Sequence, residues 1–162
     1  MNILGNKCIR CKINNFKVLQ FDHIYAGGKE EIRHFGCAPQ MYRFYINNPE
    51  IAKQKLQILC ANCNTLKKCE NHEQVQITGR NEYKNKILRK SRKKKRLLLL
   101  NVIGESCVNC GINDQRVLQI AHKKGGLMKE IRQFKTISTV YTYYKRNPEK
   151  AKENLITYCC NC

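Results

Sequence analysis

Cys8-x-x-Cys11 and Cys60-x-x-Cys63 recur as Cys107-x-x-Cys110 and Cys159-x-x-Cys162. In each copy 48 residues separate the two pairs, and the copies are offset by 99. Two CxxC pairs offer four thiolates, which suits one tetrahedral zinc. Two such sets predict two zinc modules. The period far exceeds the roughly 20–50 residues of solenoid repeats, so this is a duplicated domain. Asn2-Ile3-Leu4-Gly5 matches Asn101-Val102-Ile103-Gly104, Val18-Leu19-Gln20 matches Val117-Leu118-Gln119, and Glu31-Ile32-Arg33 matches Glu130-Ile131-Arg132. His23 with Gly27-Gly28 matches His122 with Gly125-Gly126, which implies a register slip of one residue at the glycines.

A disulfide framework is the competing reading of the cysteines. The paired spacing favours metal, and no apolar secretory segment opens the sequence, so a reducing, intracellular compartment is expected. Cys37, Cys69 and Cys160 remain as free thiols, and Cys160 alone could compete for a zinc. A module of about 60 residues buries a limited core and needs a staple, which the metal supplies.

The net charge is +19, from 31 Lys and Arg against 12 Asp and Glu. Such a charge calls for a polyanionic partner. Nucleic acid leads, with DNA favoured and structured RNA presenting the same phosphates. No run of about 18 apolar residues exists, so no membrane span is expected. The basic residues cluster: nine of the thirteen from Lys84 to Arg96 are Lys or Arg. No Gly or Pro lies between Asn81 and Ile103, and Gly104 follows, so a helix is expected there. Arg89, Lys90, Arg92, Lys93, Lys94, Lys95 and Arg96 would lie along a phosphate backbone, positioning the protein without reading sequence. A disordered basic linker or a localisation signal is the alternative. The domain plan is module 1 over 1–70, a basic linker helix over 71–100 and module 2 over 101–162.

Val18-Leu19-Gln20-Phe21-Asp22-His23-Ile24 alternates like a strand ending in a carboxylate and an imidazole. Leu56 to Lys67 reads as another strand running into a zinc knuckle and a short helix, bringing Asn64 beside Asp22 and His23. Asp22 and the Asn64 amide oxygen suit a hard divalent ion, and a neutral His23 suits a general base. The plainer readings are a satisfied strand-end histidine and a turn-capping aspartate. Arg33 and Arg132 are phosphate clamps or surface salt bridges. Tyr42, Phe44 and Tyr45, with Tyr141, Tyr143 and Tyr144, are core packing at least as readily as base-stacking groups. Asn48-Pro49 and Asn147-Pro148 look like capped helix starts.

CxxC, then Asp22-His23, then CxxC followed directly by Asn64, resembles the HNH or ββα-metal nucleases, especially the recombination endonuclease VII-like branch. The resemblance covers 1–68 and again 101–162. It implies an α+β protein of two tandem zinc-stapled ββα-metal modules. It further implies Mg²⁺ or Mn²⁺ held by Asp22 and Asn64, His23 as general base, and Lys67, at a family lysine position, among the nucleic-acid-binding residues. Module 2 departs from the pattern: Ala121 stands in place of Asp22, and no residue of the sequence corresponds to Asn64. Two functions follow: a metal-dependent endonuclease with one site per chain, needing a dimer or two binding events to cut two strands, or a non-catalytic subunit of a ribonucleoprotein or transcription assembly.

Overall fold

The structure is a computed structural model that describes residues 3–25, 27–73 and 80–162. Lys84, counted in the basic run above, lies outside the residues whose side chains are described. The chain divides into two compact units, one over Met1–Lys68 and one over Cys69–Cys160. The class is α+β: eight helices and two small antiparallel sheets among the described residues.

In the first unit a 3₁₀ turn, Phe16–Val18, leads into β1, Leu19–His23. Three helices follow before the partner strand: α1, Gly28–Phe35; α2, Ala38–Asn47; α3, Pro49–Lys55. Then β2, Leu56–Cys60, pairs antiparallel with β1, setting Asp22 opposite Gln57 and His23 opposite Leu56. The chain turns at the second cysteine pair into α4, Ala61–Glu73. The apolar residues of β2 have nowhere to go but inward, because helices and knuckle cover both faces; Leu59 and Cys60 are fully buried. Met41, Tyr45, Ala52 and Leu56 form one core cluster, with Ile3, Leu4, Phe35 and Phe44 packed against it. Cys8, Leu59, Cys60 and Cys63 form a second cluster around the knuckle.

The basic stretch is helical as the absence of Gly and Pro predicts: α5 spans Arg80–Ile103, and Gly104 follows at φ 121°. Its leucine end is built into the second unit, where Leu99 and Leu100 are fully buried. That unit continues with β3, Leu118–His122; α6, Leu127–Phe134; α7, Ile137–Arg146; α8, Pro148–Asn154; and β4, Leu155–Cys159. β3 and β4 pair in the same register as β1 and β2, setting Ala121 opposite Ile156.

Two sequence expectations need correction. The register does not slip at the glycines. Gly27 caps α1 and Gly126 caps α6, with Glu31 N–H bonded to Gly27 O and Glu130 N–H to Gly126 O. The offset of 99 therefore holds, and Leu127, not a glycine, matches Gly28. Asn48 and Asn147 do stand at the N-cap positions of α3 and α8 with proline in the first turn, but their side chains do not cap those helices. Their side-chain amides donate to Phe44 O and Tyr143 O, each at 2.8 Å, closing the preceding helices instead.

Candidate functional site

Each unit gathers four cysteines whose sulfurs lie within 4.8 Å of one another: Cys8, Cys11, Cys60 and Cys63, and Cys107, Cys110, Cys159 and Cys162. The Cys11–Cys60 and Cys110–Cys159 sulfurs are 3.6 and 3.7 Å apart. Tetrahedral zinc with Zn–S near 2.3 Å places its sulfurs about 3.8 Å apart. Both groups therefore have the size of a structural zinc site. The first knuckle of each is a tight turn. Cys8 N–H bonds Ile13 O and Lys12 N–H bonds Cys8 O, repeated by Cys107 to Ile112 and Gly111 to Cys107. Burial pushes the Cys8 and Cys107 thiols up, but backbone N–H groups around the turns outweigh it and bring both down to about 6. Burial and the neighbouring sulfurs push Cys63 far above the usual thiol range and Cys162 up to about 12. Four sulfurs this close do not all ionise without a cation among them.

All eleven cysteines are free of disulfides. Cys160 stands outside the second group, and its thiol donates to Val117 O.

Successive residues leave a strand on opposite faces. Asp22 accordingly faces α4, and His23 faces α1 and α2. The Asp22 carboxylate accepts from Gln57 Nε2 at 2.7 Å and from Lys67 Nζ at 2.5 Å, both on Oδ2. Lys67 also donates to His23 O, and to Ile24 O at 3.1 Å. Its ammonium thus sits in a nest of three oxygens at the end of β1, turned inward and not presented to a phosphate backbone as the sequence reading expects. One turn earlier on α4, Asn64 donates from Nδ2 to Gln20 Oε1 at 2.7 Å. Gln20 shares the strand face of Asp22. Asn64 Oδ1 is buried and has no hydrogen-bond partner, the one such side-chain atom among the described residues. The structure brings Asp22, Asn64 and Lys67 together on one face of the hairpin and sets His23 on the other.

His23 has a built environment that its position in sequence does not reveal. Its Nε2 lies 2.6 Å from Glu31 Oε2, which also accepts from Tyr45 OH at 2.6 Å, while Lys55 Nζ donates to Oε1 at 2.9 Å. Burial pushes the Glu31 carboxyl up, but the Tyr45, Lys55 and His23 hydrogen bonds and the Lys55 charge win and bring it down to about 2. Burial, then the Glu31 contact, pushes the Tyr45 hydroxyl well above its ordinary range. With Glu31 ionised, Nε2 is the donor, so a neutral ring carries its lone pair on Nδ1. That nitrogen faces Gly28, where an added Cβ would come within 2.8 Å of it. Glu31 and Tyr45 are legible in part: both fall at matching positions in the two copies.

Module 2 repeats this side of the site. His122 Nε2 lies 2.8 Å from Glu130 Oε2, and Tyr144 OH donates to Glu130 Oε1. With Leu127 in place of Gly28, the His122 side chain is 9% exposed against 21% for His23.

Of the basic residues, Arg89, Lys90, Arg92, Lys93 and Lys94 are exposed on α5, as are Arg33 on α1 and Arg132 on α6. Arg33 and Arg132 have no ion-pair partner among the described residues. Lys95 and Arg96 are turned inward: Lys95 donates to Ser138 and Thr142, and Arg96 to Gln115 O and Leu118 O. The outer basic face is therefore smaller than the sequence count suggests. No helix among the described residues is long and apolar enough to cross a membrane. Neither the family models, nor the curated proteins, nor the solved structures compared with this chain match it.

Proposed function

We propose that the chain is a nucleic-acid-binding protein of the HNH, or ββα-metal, type, in which the zinc sites are structural and module 1 carries one phosphodiester-hydrolysing site. The observation that carries the reading is Asn64 Oδ1, a buried acceptor left without a donor on the helix face that reaches Asp22. A buried orphan acceptor costs about 1–3 kcal/mol, which a cation ligand would recover. Asp22 and Asn64 fit Mg²⁺ or Mn²⁺ by their oxygen chemistry. Such an ion, when bound, would polarise the scissile phosphate and stabilise the leaving oxygen.

The chain's own residues supply the rest. His23 is held by Glu31 through Nε2, the pattern of a base oriented by a third group, and because it leaves β1 on the face opposite Asp22 and Asn64 it would take a proton at Nδ1 only from a water on a phosphate that spans the end of the strand. Gly28 keeps a side chain off that nitrogen. Arg33, Arg132 and the outer face of α5 hold the phosphate backbone and account for steeply salt-dependent binding.

The second reading, a non-catalytic nucleic-acid-binding subunit, is favoured by Lys67. Its ammonium already takes Asp22 Oδ2 and two carbonyls, where a metal would otherwise be sought. A nicking assay decides between them, on supercoiled plasmid and a four-way junction with zinc-loaded protein and Mg²⁺ or Mn²⁺. Metal-dependent nicking, lost in His23→Ala with DNA binding retained, supports the nuclease. Salt-sensitive binding without nicking by the wild type assigns the second reading.

A further inference from the structure

Lys67 is spent inside the protein. An ammonium has three N–H donors. In module 1 they go to Asp22 Oδ2 at 2.5 Å, to His23 O, and to Ile24 O at 3.1 Å. None is left for a phosphate, and the side chain is only 13% exposed against 16% for Asp22. The arrangement is built from two sides. Gln57 Nε2, on the paired strand, donates to the same Asp22 oxygen at 2.7 Å and fixes the carboxylate. Cys63 lies in the first turn of α4, one turn before Lys67, so a metal held by the four cysteines would anchor the helix that delivers the ammonium.

The three oxygens are one carboxylate and two backbone carbonyls, the ligand types of a hard divalent ion. On the same helix, one turn before Lys67, Asn64 Oδ1 is buried and has no donor. The ammonium therefore fills a nest of cation-binding oxygens and leaves one further acceptor of α4 unserved. An ammonium and a divalent ion on one carboxylate would stand a few ångströms apart in a part-buried site, where like charges repel strongly. They exclude one another. Module 2 offers no such nest: Ala121 opposite Ile156 leaves that face of its hairpin without a carboxylate.

We propose that Lys67 is the resident cation of the module 1 site, and that a divalent ion reaches Asp22 and the carbonyls of His23 and Ile24 only by displacing it. Lys67 thereby sets a threshold: the site keeps its own cation until a divalent ion outcompetes a tethered one. The inference rests on the reading of Asp22 as a metal ligand, but not on hydrolysis.

The test uses the zinc-loaded full chain and Mn²⁺, with free Mn²⁺ read by electron paramagnetic resonance. Mn²⁺ prefers oxygen ligands and leaves the thiolate sites to zinc. Lys67→Met should bind Mn²⁺ about tenfold or more tightly than the wild type, because the competing charge is gone. Lys68→Met removes an exposed neighbouring charge and should change the affinity by about twofold at most. Adding Asp22→Asn to Lys67→Met should abolish the gain. Where Lys67→Met loses zinc or helical circular dichroism, Lys67→Gln takes its place, since its amide still donates to Asp22. Nitrogen NMR of the lysine ammonium groups gives a second readout. The Lys67 Nζ signal, assigned by its loss in the variant, should move as Mg²⁺ is added. Wild-type affinity equal to that of the Lys67 variant overturns the inference and leaves the metal reading standing. A gain that survives Asp22→Asn, or a Lys67 signal unchanged at saturating Mg²⁺, also overturns the inference. Absence of Mn²⁺ binding by wild type and variant alike overturns both.

Discussion

The two modules share a four-cysteine group of the size of a zinc site, a strand register and a histidine held by a glutamate and a tyrosine, yet they differ at the carboxylate that the proposed reaction needs. In module 1 the strand pair at the site is Asp22 opposite Gln57, joined by a 2.7 Å hydrogen bond. In module 2 the same pair is Ala121 opposite Ile156, an apolar substitute made on both strands at once. The His–Glu–Tyr network survives where the carboxylate does not, so it is first a fold element that pins the end of a strand to two helices. The proposed chemistry depends on Asp22 and its neighbours, which module 1 alone carries among the described residues. The second contrast is in exposure: Leu99 is buried on the helical layer of module 2, while Tyr42 and Ile46 are exposed on that of module 1.

The largest expected effect treats the modules alike. Strong chelation should unfold both, because structural zinc contributes on the order of 10 kcal/mol to domains of this size. Native mass spectrometry should find two zinc ions per chain. Cys60→Ala and Cys159→Ala, both at buried positions, should each leave one. Two zincs retained in either variant would break the four-cysteine assignment. The next effect should separate the modules. His23→Ala should lower metal-dependent nicking by about 10² to 10⁴, the worth of a general base, while His122→Ala leaves the rate unchanged. Equal losses in both would mean that the shared network acts on stability, and a thermal melt of each variant would show it.

Leu99→Ala sharpens the contrast in exposure. The side chain is fully buried among four core residues, and its removal should cost about 2–5 kcal/mol, read as a shift in the denaturation midpoint. Ile46→Ala, at an exposed position on the corresponding layer of module 1, should stay within about 0.5 kcal/mol. A costly Ile46→Ala would mean that this side chain packs more tightly than its 54% exposure implies.

Lys55 marks another difference, since Asn154 stands at its position in module 2. Glu31 is held at about 2, below its ordinary 4.5. A carboxyl depressed by folding adds stability that is fully present above pH 4.5 and is lost as pH falls toward 2. Carbon-detected NMR at pH 4.5 should therefore find Glu31 wholly ionised, where an ordinary glutamate is half protonated. Lys55→Asn should raise its titration point, and an unmoved point would show that Tyr45 and His23 carry the effect alone.

Much of this arrangement is legible because the chain states it twice. The cysteine spacing, the strand ending at His23, a second strand before the second cysteine pair and the extent of α5 follow from periodicity, spacing and the absence of Gly and Pro. The misread features are those that sequence spacing does not encode. Gly125-Gly126 and Gly27-Gly28 align as letters, but backbone capping pairs Gly27 with Gly126. Asn48 precedes Pro49 as a helix-starting asparagine would, yet its amide reaches back to Phe44 O. Lys95 and Arg96 read as part of a phosphate-binding run, and only the packing of α5 turns them toward hydroxyls and carbonyls. Glu31 reads as a matched position without a role, because its partners lie 8, 14 and 24 residues away.

The smallest effect concerns the first knuckle. Lys12 adopts φ 64° in a turn where module 2 has Gly111 at φ 72°. A non-glycine residue pays about 1–2 kcal/mol there, and glycine returns roughly 0.5–1 kcal/mol of that through the entropy of the unfolded chain. Lys12 also donates from Nζ to Ile9 O at 2.9 Å, but on an exposed surface that bond adds little. Lys12→Gly should therefore stabilise module 1 by about 0.5–1 kcal/mol, and Gly111→Lys should destabilise module 2 by a similar amount. Chemical denaturation of the zinc-loaded chain reads both. Opposite signs would show that the two knuckles share one backbone requirement, which the copies meet with different residues. A destabilising Lys12→Gly would show instead that the lysine contact outweighs the strain.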